Sequence, residues 1–316
     1  MTTLSPLKFR HNYDRFNIFG NKVIFDFIAE DMMINGGNLK PSSHWDWNLC
    51  GWAKEIDKNI NYYSSELYEK RYSNLQMMLD PFIGVTGMLK VSEDSIKKYE
   101  RYLRKIDNLN MLPEKVLTFS SKNGWIETDL GSVMDCNLIF NHSQSLADKE
   151  KRTSIIEIGG GYGRLAEVFL GGREAWNSVH YLLVDAVPAS LMYSYLYLKS
   201  QHPNLNIGAY FNGDEYSSDY DCYIMPSWHL DKIVSKTFDI SINVESMQEM
   251  EQEQVDYYIN QFDRVTKPGG LVYLSNSKVY VFKGKWNIPK YWKKLFDENT
   301  PRSWTANHPT QIYRNT

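Results

Sequence analysis

Cysteine is scarce. The chain has 316 residues and three cysteines, Cys50, Cys136 and Cys222, far apart and without a CxxC pair. That argues against a disulfide scaffold or a zinc knuckle and fits a reducing compartment. Long apolar runs are also missing. No stretch reaches the roughly 18 apolar residues of a membrane-crossing helix. The segment Met1–Gly20 carries Lys8, Arg10, Asp14 and Arg15 where a secretory leader would carry an apolar core. No transmembrane segment is expected, and the expected location is the cytoplasm. Charge of one sign is not in excess either: 35 Lys and Arg face 38 Asp and Glu, for a net charge of −3. This excludes a strongly basic nucleic-acid binder and a polyacidic tail. Internal repeats and low-complexity runs are absent.

What the chain has in quantity is aromatic residues, 14% of the total with 22 Tyr among them. Disordered segments are poor in aromatics, so a packed protein is expected. At about 150 residues per domain, the length suits one large domain or two modest ones. The first 110 residues read as mostly helical, with helix patterns over 62–80 and 92–109. The pattern changes after residue 150. Short apolar runs at Ser154–Ile158, Tyr181–Val184, Cys222–Met225, Phe238–Val244 and Leu271–Leu274 alternate with helical stretches at Arg164–Leu170, Pro188–Gln201 and Gln248–Val265. Such alternation predicts an α/β fold with a doubly wound, mainly parallel sheet and helices on both faces. Ligands in these sheets bind beyond the carboxyl ends of the strands.

Between the first strand and the next helix runs Glu157-Ile158-Gly159-Gly160-Gly161-Tyr162-Gly163-Arg164. Glycines at such a turn let the backbone turn sharply and approach a ligand closely. A plain tight turn does not call for four glycines in five positions. A dinucleotide fingerprint, G-x-G-x-x-G/A, would place Arg164 at its third glycine, where close helix–strand packing is needed, so NAD fits poorly. A phosphate-binding P-loop needs a Lys-Ser/Thr pair that is not there.

The run resembles the first motif of class I S-adenosylmethionine-dependent methyltransferases, E/D-x-G-x-G-x-G, read here as Glu157, Gly159, Gly161 and Gly163. The resemblance implies a Rossmann-like methyltransferase sheet over 111–316, with S-adenosyl-L-methionine as cofactor and S-adenosyl-L-homocysteine as product. It implies that Glu157 joins the polar network around the methionine part. The backbone of Gly159, Gly160, Gly161, Tyr162 and Gly163 would pass beneath the methionine and ribose. Asp185, ending the second strand before Ala186, would accept both ribose hydroxyls, a task suited to the two oxygens of a carboxylate. Ser227 and Trp228, after the third strand, would flank the adenine, with Trp228 stacking on it.

A second segment narrows the resemblance. Phe238-Asp239 through Asn243, Ser246, Gln248, Glu249 and Met250, with Asn276 after the fifth strand, is similar to a bacterial family of sugar O-methyltransferases. This implies a sugar or sugar-nucleotide acceptor, such as a unit of a surface polysaccharide. Ser246 and Glu249 also spell a capping box for the following helix. A sugar hydroxyl does not ionise near neutral pH, so either a positioned base takes its proton or a metal lowers its pKa. The candidate bases are Glu245, Glu249 and His308, with His142 a weaker one, and Asn243 sits beside them at the fourth strand's end. No compact His/Asp/Glu set has metal-ligand spacing, so a divalent metal is not indicated. Trp45, Trp47 and Trp52, or Trp286, Trp292 and Trp304, offer aromatic walls for a pyranose. The first 110 residues then serve as a lid that selects the acceptor. The competing readings are a methyltransferase for another small O or N acceptor, a NAD-dependent sugar-nucleotide enzyme, and a noncatalytic module of the same fold.

Overall fold

The computed structural model describes residues 22–42, 127–143, 151–172, 178–277, 286–301 and 308–316. The helices expected over 62–80 and 92–109 lie outside these residues, as do Trp45, Trp47, Trp52 and Trp304.

Six strands run parallel: β1 (Thr153–Ile158), β2 (Val179–Asp185), β3 (Ile207–Ala209), β4 (Cys222–Pro226), β5 (Phe238–Val244) and β6 (Thr266–Ser275). β8 (Pro309–Arg314) pairs antiparallel with β6, and β7 (Lys293–Asn299) pairs antiparallel with β8. The sheet order is β3-β4-β2-β1-β5-β6-β8-β7. From β1 the chain winds outward through β2 towards β4 and β3, then returns to the other side of β1 as β5. The carboxyl ends of β1 and β5 therefore flank a topological switch point, the usual place for a ligand crevice.

The central strands are covered on both faces, which is why their sequences are nearly continuous apolar runs rather than alternating ones. Ile155 of β1, Tyr181 and Leu183 of β2 and Ile240 of β5 pack on one face with α1 (Lys22–Asn35), α2 (Glu127–Ser143), α3 (Arg164–Gly171) and α4 (Pro188–Gln201). Ile156 and Ile158 of β1, with Leu182 and Val184 of β2, pack on the other face against α5 (Gln252–Val265).

The Rossmann-like α/β architecture expected from the sequence is the one observed, and four details differ. Helix α2 has no sequence signature. All ten residues from Gly131 to Phe140 are buried, polar Ser132, Asp135 and Asn137 among them, so no polar face exists to give a helical period. β6 begins before Pro268-Gly269-Gly270 rather than after it. A β-bulge absorbs that segment, and a side chain at Gly270 would press on the Thr266 side chain and the Asp239 carbonyl. The short edge strand β3 and the antiparallel pair β7–β8 were not anticipated. Finally, α5 starts at Gln252, and its capping box is formed by Glu251 and Gln254 instead of Ser246 and Glu249. Residues Met247–Glu249 form a separate 3₁₀ turn.

Helix α2 is tied to the sheet by a buried hydrogen bond from the Tyr273 hydroxyl to the Asp135 carboxylate, two groups with no access to solvent. Replacing the hydroxyl leaves a buried carboxyl short of a partner. Tyr273→Phe is expected to cost about 1–3 kcal/mol of unfolding free energy, measured by urea denaturation. A change under about 0.5 kcal/mol would show that the bond contributes nothing.

Candidate functional site

The glycine loop sits at the carboxyl end of β1. Gly159, Gly161 and Gly163 have φ of 76°, 55° and 86°, in the left-handed region that residues with a Cβ rarely adopt. Two of these positions also lack room. A Cβ on Gly159 would overlap the Ser246 hydroxyl, and one on Gly163 would press on Leu198. Gly161 differs: a Cβ there would meet nothing within 4 Å. Glycine is needed at 161 for its backbone angle, and the space above it stays open.

Asp185, at the end of β2, holds this loop. One carboxylate oxygen accepts the Gly161 N–H at 2.8 Å and the other accepts the Val187 N–H at 2.8 Å. Burial raises the carboxyl's pKa, while N–H donors from Val187, Gly161 and Ala186 draw it back down. With these three N–H bonds made, about one of the carboxylate's four lone-pair sites is left for a further donor. Asp185 and Ala186 line a cleft with Ile158, Gly159, Ser227 and Ser246, and residues Lys40, Pro41 and Ser42 form another part of its wall.

Glu157 is buried on the α2–α3 side of the sheet and accepts a hydrogen bond from the Tyr181 hydroxyl at 2.8 Å. It is not among the residues that line the cleft. Burial pushes its pKa up to about 7, against the opposing pull of the Tyr181 bond and the Arg164 charge. Tyr162 packs edge-on against Tyr197 and Tyr193 of α4. Only its backbone belongs to the loop.

Trp228 departs from the expectation. Its ring is part of the core, its indole N–H donates to the Asp31 carboxylate at 2.6 Å, and it does not line the cleft. An aromatic on a 3₁₀ turn beside α1 finds more apolar surface inward than at the cleft. Ser227 does line the cleft. Trp292 is likewise buried, packed near Tyr313 with its N–H donated to Asp263, so it offers no wall to a sugar. Trp286 is half-buried against the α5 side of the core.

The motif from Asn243 to Asn276 is one buried hydrogen-bond network. The Asn243 amide nitrogen donates to the Ile158 carbonyl and to the Ser246 hydroxyl, each at 2.7 Å. Its amide oxygen accepts from Asn276 at 3.0 Å and from the Met247 N–H at 3.3 Å. The Asn276 oxygen accepts the Gln248 N–H, and the Gln248 oxygen accepts the Ser277 N–H. Asn243 thereby ties the ends of β1, β5 and β6 together. Its amide is engaged inside the protein rather than presented to a ligand.

Glu245 follows at once, and its φ of 57° makes it one of three non-glycine residues with positive φ among those described. Such strain gathers at functional positions. The turn directs Glu245 to Arg164, whose guanidinium donates to it at 3.2 Å and to the Ser132 hydroxyl at 2.9 Å. The other Glu245 oxygen stands 3.8 Å from Nε2 of His308. His308 directly precedes β8 and is fully buried, because β8 returns antiparallel beside the end of β6. Glu245 and His308, two bases read from distant parts of the chain, are neighbours. Glu249 lies half-buried on the 3₁₀ turn. His142 caps the far end of α2, where its backbone carbonyl accepts from Arg314, away from the cleft. Sequence reasoning missed Arg164 as a site residue, having read it only as a misfit in a dinucleotide motif. It also missed Ser132, hidden in the unrecognised helix α2. Among the described residues no three His, Cys, Asp or Glu side chains gather as a metal site.

No family model and no curated protein matches the chain. Solved structures similar to it include a Burkholderia thailandensis 1,6-didemethyltoxoflavin-N1-methyltransferase with bound 1,6-didemethyltoxoflavin and S-adenosylhomocysteine, at 12% identity and TM-score 0.40, covering 69% of this chain and 89% of that one. A TehB-like SAM-dependent methyltransferase from Corynebacterium glutamicum is 11% identical with TM-score 0.36, covering 69% and 98%. The PH0226 protein from Pyrococcus horikoshii is 15% identical with TM-score 0.38, covering 56% and 89%. The fold rests on strand order and register, and the functional reading on the site's own geometry.

The Glu157 carboxyl carries a pH-dependent stability effect. Between pH 4.5 and about 7 the unfolded chain releases this proton while the folded chain keeps it, so its contribution to stability is lost as pH rises through that window. Glu157→Gln keeps an acceptor for Tyr181 and removes the titration. The variant is expected to gain on the order of 3 kcal/mol over the native chain on going from pH 4 to pH 8. Urea midpoints at both pH values decide it. An equal offset at the two would mean that Glu157 titrates normally.

Proposed function

We propose that this chain is an S-adenosylmethionine-dependent methyltransferase acting on a hydroxyl of a small acceptor, a sugar or sugar nucleotide. The observation that carries the reading is the Asp185 carboxylate. It is buried at the end of β2, fixed to Gly161 of the glycine loop, and lines the cleft with acceptor capacity left for a further donor. A ribose hydroxyl matches that acceptor. Asp185 would hold the ribose, the backbone from Gly159 to Gly163 would lie beneath the ribose and methionine, and Ser227 would border the base. When bound, the cofactor's sulfonium supplies the methyl group.

The chain's own task is then alignment and proton removal. Methyl transfer to oxygen is an in-line displacement, so positioning the acceptor provides much of the rate. Glu245 and His308 stand together at the carboxyl ends of β5 and β6 and the amino end of β8, on the side of the switch point away from Asp185. Glu245, the partly exposed member of the pair, is the base we assign. Arg164 fixes it, and fully buried His308 stands behind it as a positioning group. The sugar assignment is supported by the Asn243-to-Met250 motif, whose network brings Glu245 to this position. The N-terminal region, residues 1–110, is the proposed cover of the acceptor side.

Calorimetry with S-adenosylhomocysteine and with NAD tests the cofactor. Binding of the former alone is expected, and binding of NAD alone would sink the proposal. Asp185→Ala should weaken S-adenosylhomocysteine at least about tenfold, the worth of hydrogen bonds to a charged group. Turnover is read as label transfer from methyl-labelled cofactor to a panel of nucleoside-diphosphate sugars. Glu245→Gln should lower kcat about 10²–10⁴-fold with cofactor affinity retained, and His308→Ala by less. Full activity in both would place the base elsewhere.

A further inference from the structure

The segment 22–42 is remote in sequence from the sheet, yet it is bound to the rim of the cleft by three polar anchors. On α1, the Asp31 carboxylate accepts the Trp228 indole N–H at 2.6 Å and pairs with His229 Nε2 at 2.8 Å. The Ser227 hydroxyl donates to the Leu39 carbonyl at 3.0 Å. The Gln254 side-chain nitrogen, in the first turn of α5, donates to the carbonyls of both Asn38 and Lys40 at 2.9 Å. Its two hydrogens are thus both spent on this segment, while its oxygen accepts the Glu251 N–H. The anchors come from the 3₁₀ turn after β4 and from the start of α5, elements that border the cleft themselves. They hold residues 38–42 as a strap, and Lys40, Pro41 and Ser42 face the same cleft as Asp185, Ala186 and Ser227.

Ser42 is the informative residue on the strap. It is 6% exposed, and its hydroxyl has no hydrogen-bond partner. A buried hydroxyl without a partner is uncommon and calls for a specific explanation. Its place in the wall of a cleft that also contains a carboxylate supplies one: the partner is a ligand. We propose that the strap is the outer wall of the cofactor's nucleoside site, and that the Ser42 hydroxyl hydrogen-bonds the nucleoside. This rests on the reading of the cleft as an S-adenosylmethionine site. It assigns residues 36–42 to the donor side of the reaction, distinct from acceptor selection.

A coupling follows. The strap is held by these polar bonds and by Leu39 packed against the core, and a bound nucleoside adds a contact only while the strap is closed. Ligand and strap therefore stabilise one another, each by the same factor.

The test uses the full chain and two probes, S-adenosylhomocysteine and 5′-methylthioadenosine, which lacks the amino-acid end. Ser42→Ala is expected to weaken both by the same factor, about threefold to tenfold, the range for one neutral hydrogen bond. Gln254→Ala, which frees the strap without touching Ser42, should raise the dissociation rate of both probes by a similar factor in stopped flow. Melting of the ligand-free variants checks that they fold. If the native chain binds S-adenosylhomocysteine and Ser42→Ala binds both probes within twofold of it, the strap assignment is overturned. A loss confined to S-adenosylhomocysteine also overturns it, by moving Ser42 to the amino-acid end. A native chain that binds neither probe overturns the methyltransferase reading itself.

Discussion

The site depends on one buried carboxylate. Asp185 stands at the end of β2 and reaches across to the loop that follows β1, so it fixes a stretch of backbone that no strand or helix constrains. The loop contains three residues in left-handed conformations, and glycine makes such a stretch accessible but also entropically costly to order. N–H bonds to the carboxyl, one from the loop and the others from its own turn, offset that cost. The same bonds oppose the burial that raises its pKa. A ligand meeting this oxygen pair meets a preorganised acceptor, with little left to rearrange.

The opposite bank of the switch point is built by an amide instead of a charge. Asn243 bonds the carbonyl that ends β1, the hydroxyl of Ser246 and the amide of Asn276 beyond β6. Gly159 has no side chain because Ser246 fills that volume. The glycine loop and the Asn243 motif, distant in sequence, are therefore two halves of one joint. Every donor and acceptor of the Asn243 amide is engaged, so the joint is stiff, and its next residue, Glu245, inherits a fixed and strained direction. Arg164 then decides what that direction means. It stands between Ser132 and Glu245, and its charge opposes the burial that raises the pKa of the deeper Glu157.

The parallel strands β1, β2, β4 and β5, the glycine loop and helix α4 were legible because each is specified by neighbouring residues. Apolar runs bounded by turn residues, and a Pro in the first turn of a helix, are local statements. What escaped is set by tertiary surroundings. Helix α2 has no polar face because it is buried on all sides. Strands β7 and β8 are read correctly only once β6 supplies an edge. His308 reads as a loop residue in sequence and becomes a buried neighbour of Glu245 through that same antiparallel return. Trp228 shows the opposite error. Its position after β4 was right for a cleft residue, yet the partner that decides its orientation, Asp31, lies almost two hundred positions earlier in the chain.

Asp31 also bears on how the N-terminal segment takes part. A lid that chose the acceptor alone would have no reason to be fastened beside β4 and α5, on the bank of the cleft proposed for the nucleoside. The described part of this segment is fastened there, by side chains of Ser227 and Gln254 that themselves line the cleft. Those anchors and the Ser42 hydroxyl are parts of one wall. On the proposed reading of the cleft, a cofactor that bonds Ser42 favours the fastened strap by the same factor by which the fastened strap favours the cofactor, whichever comes first.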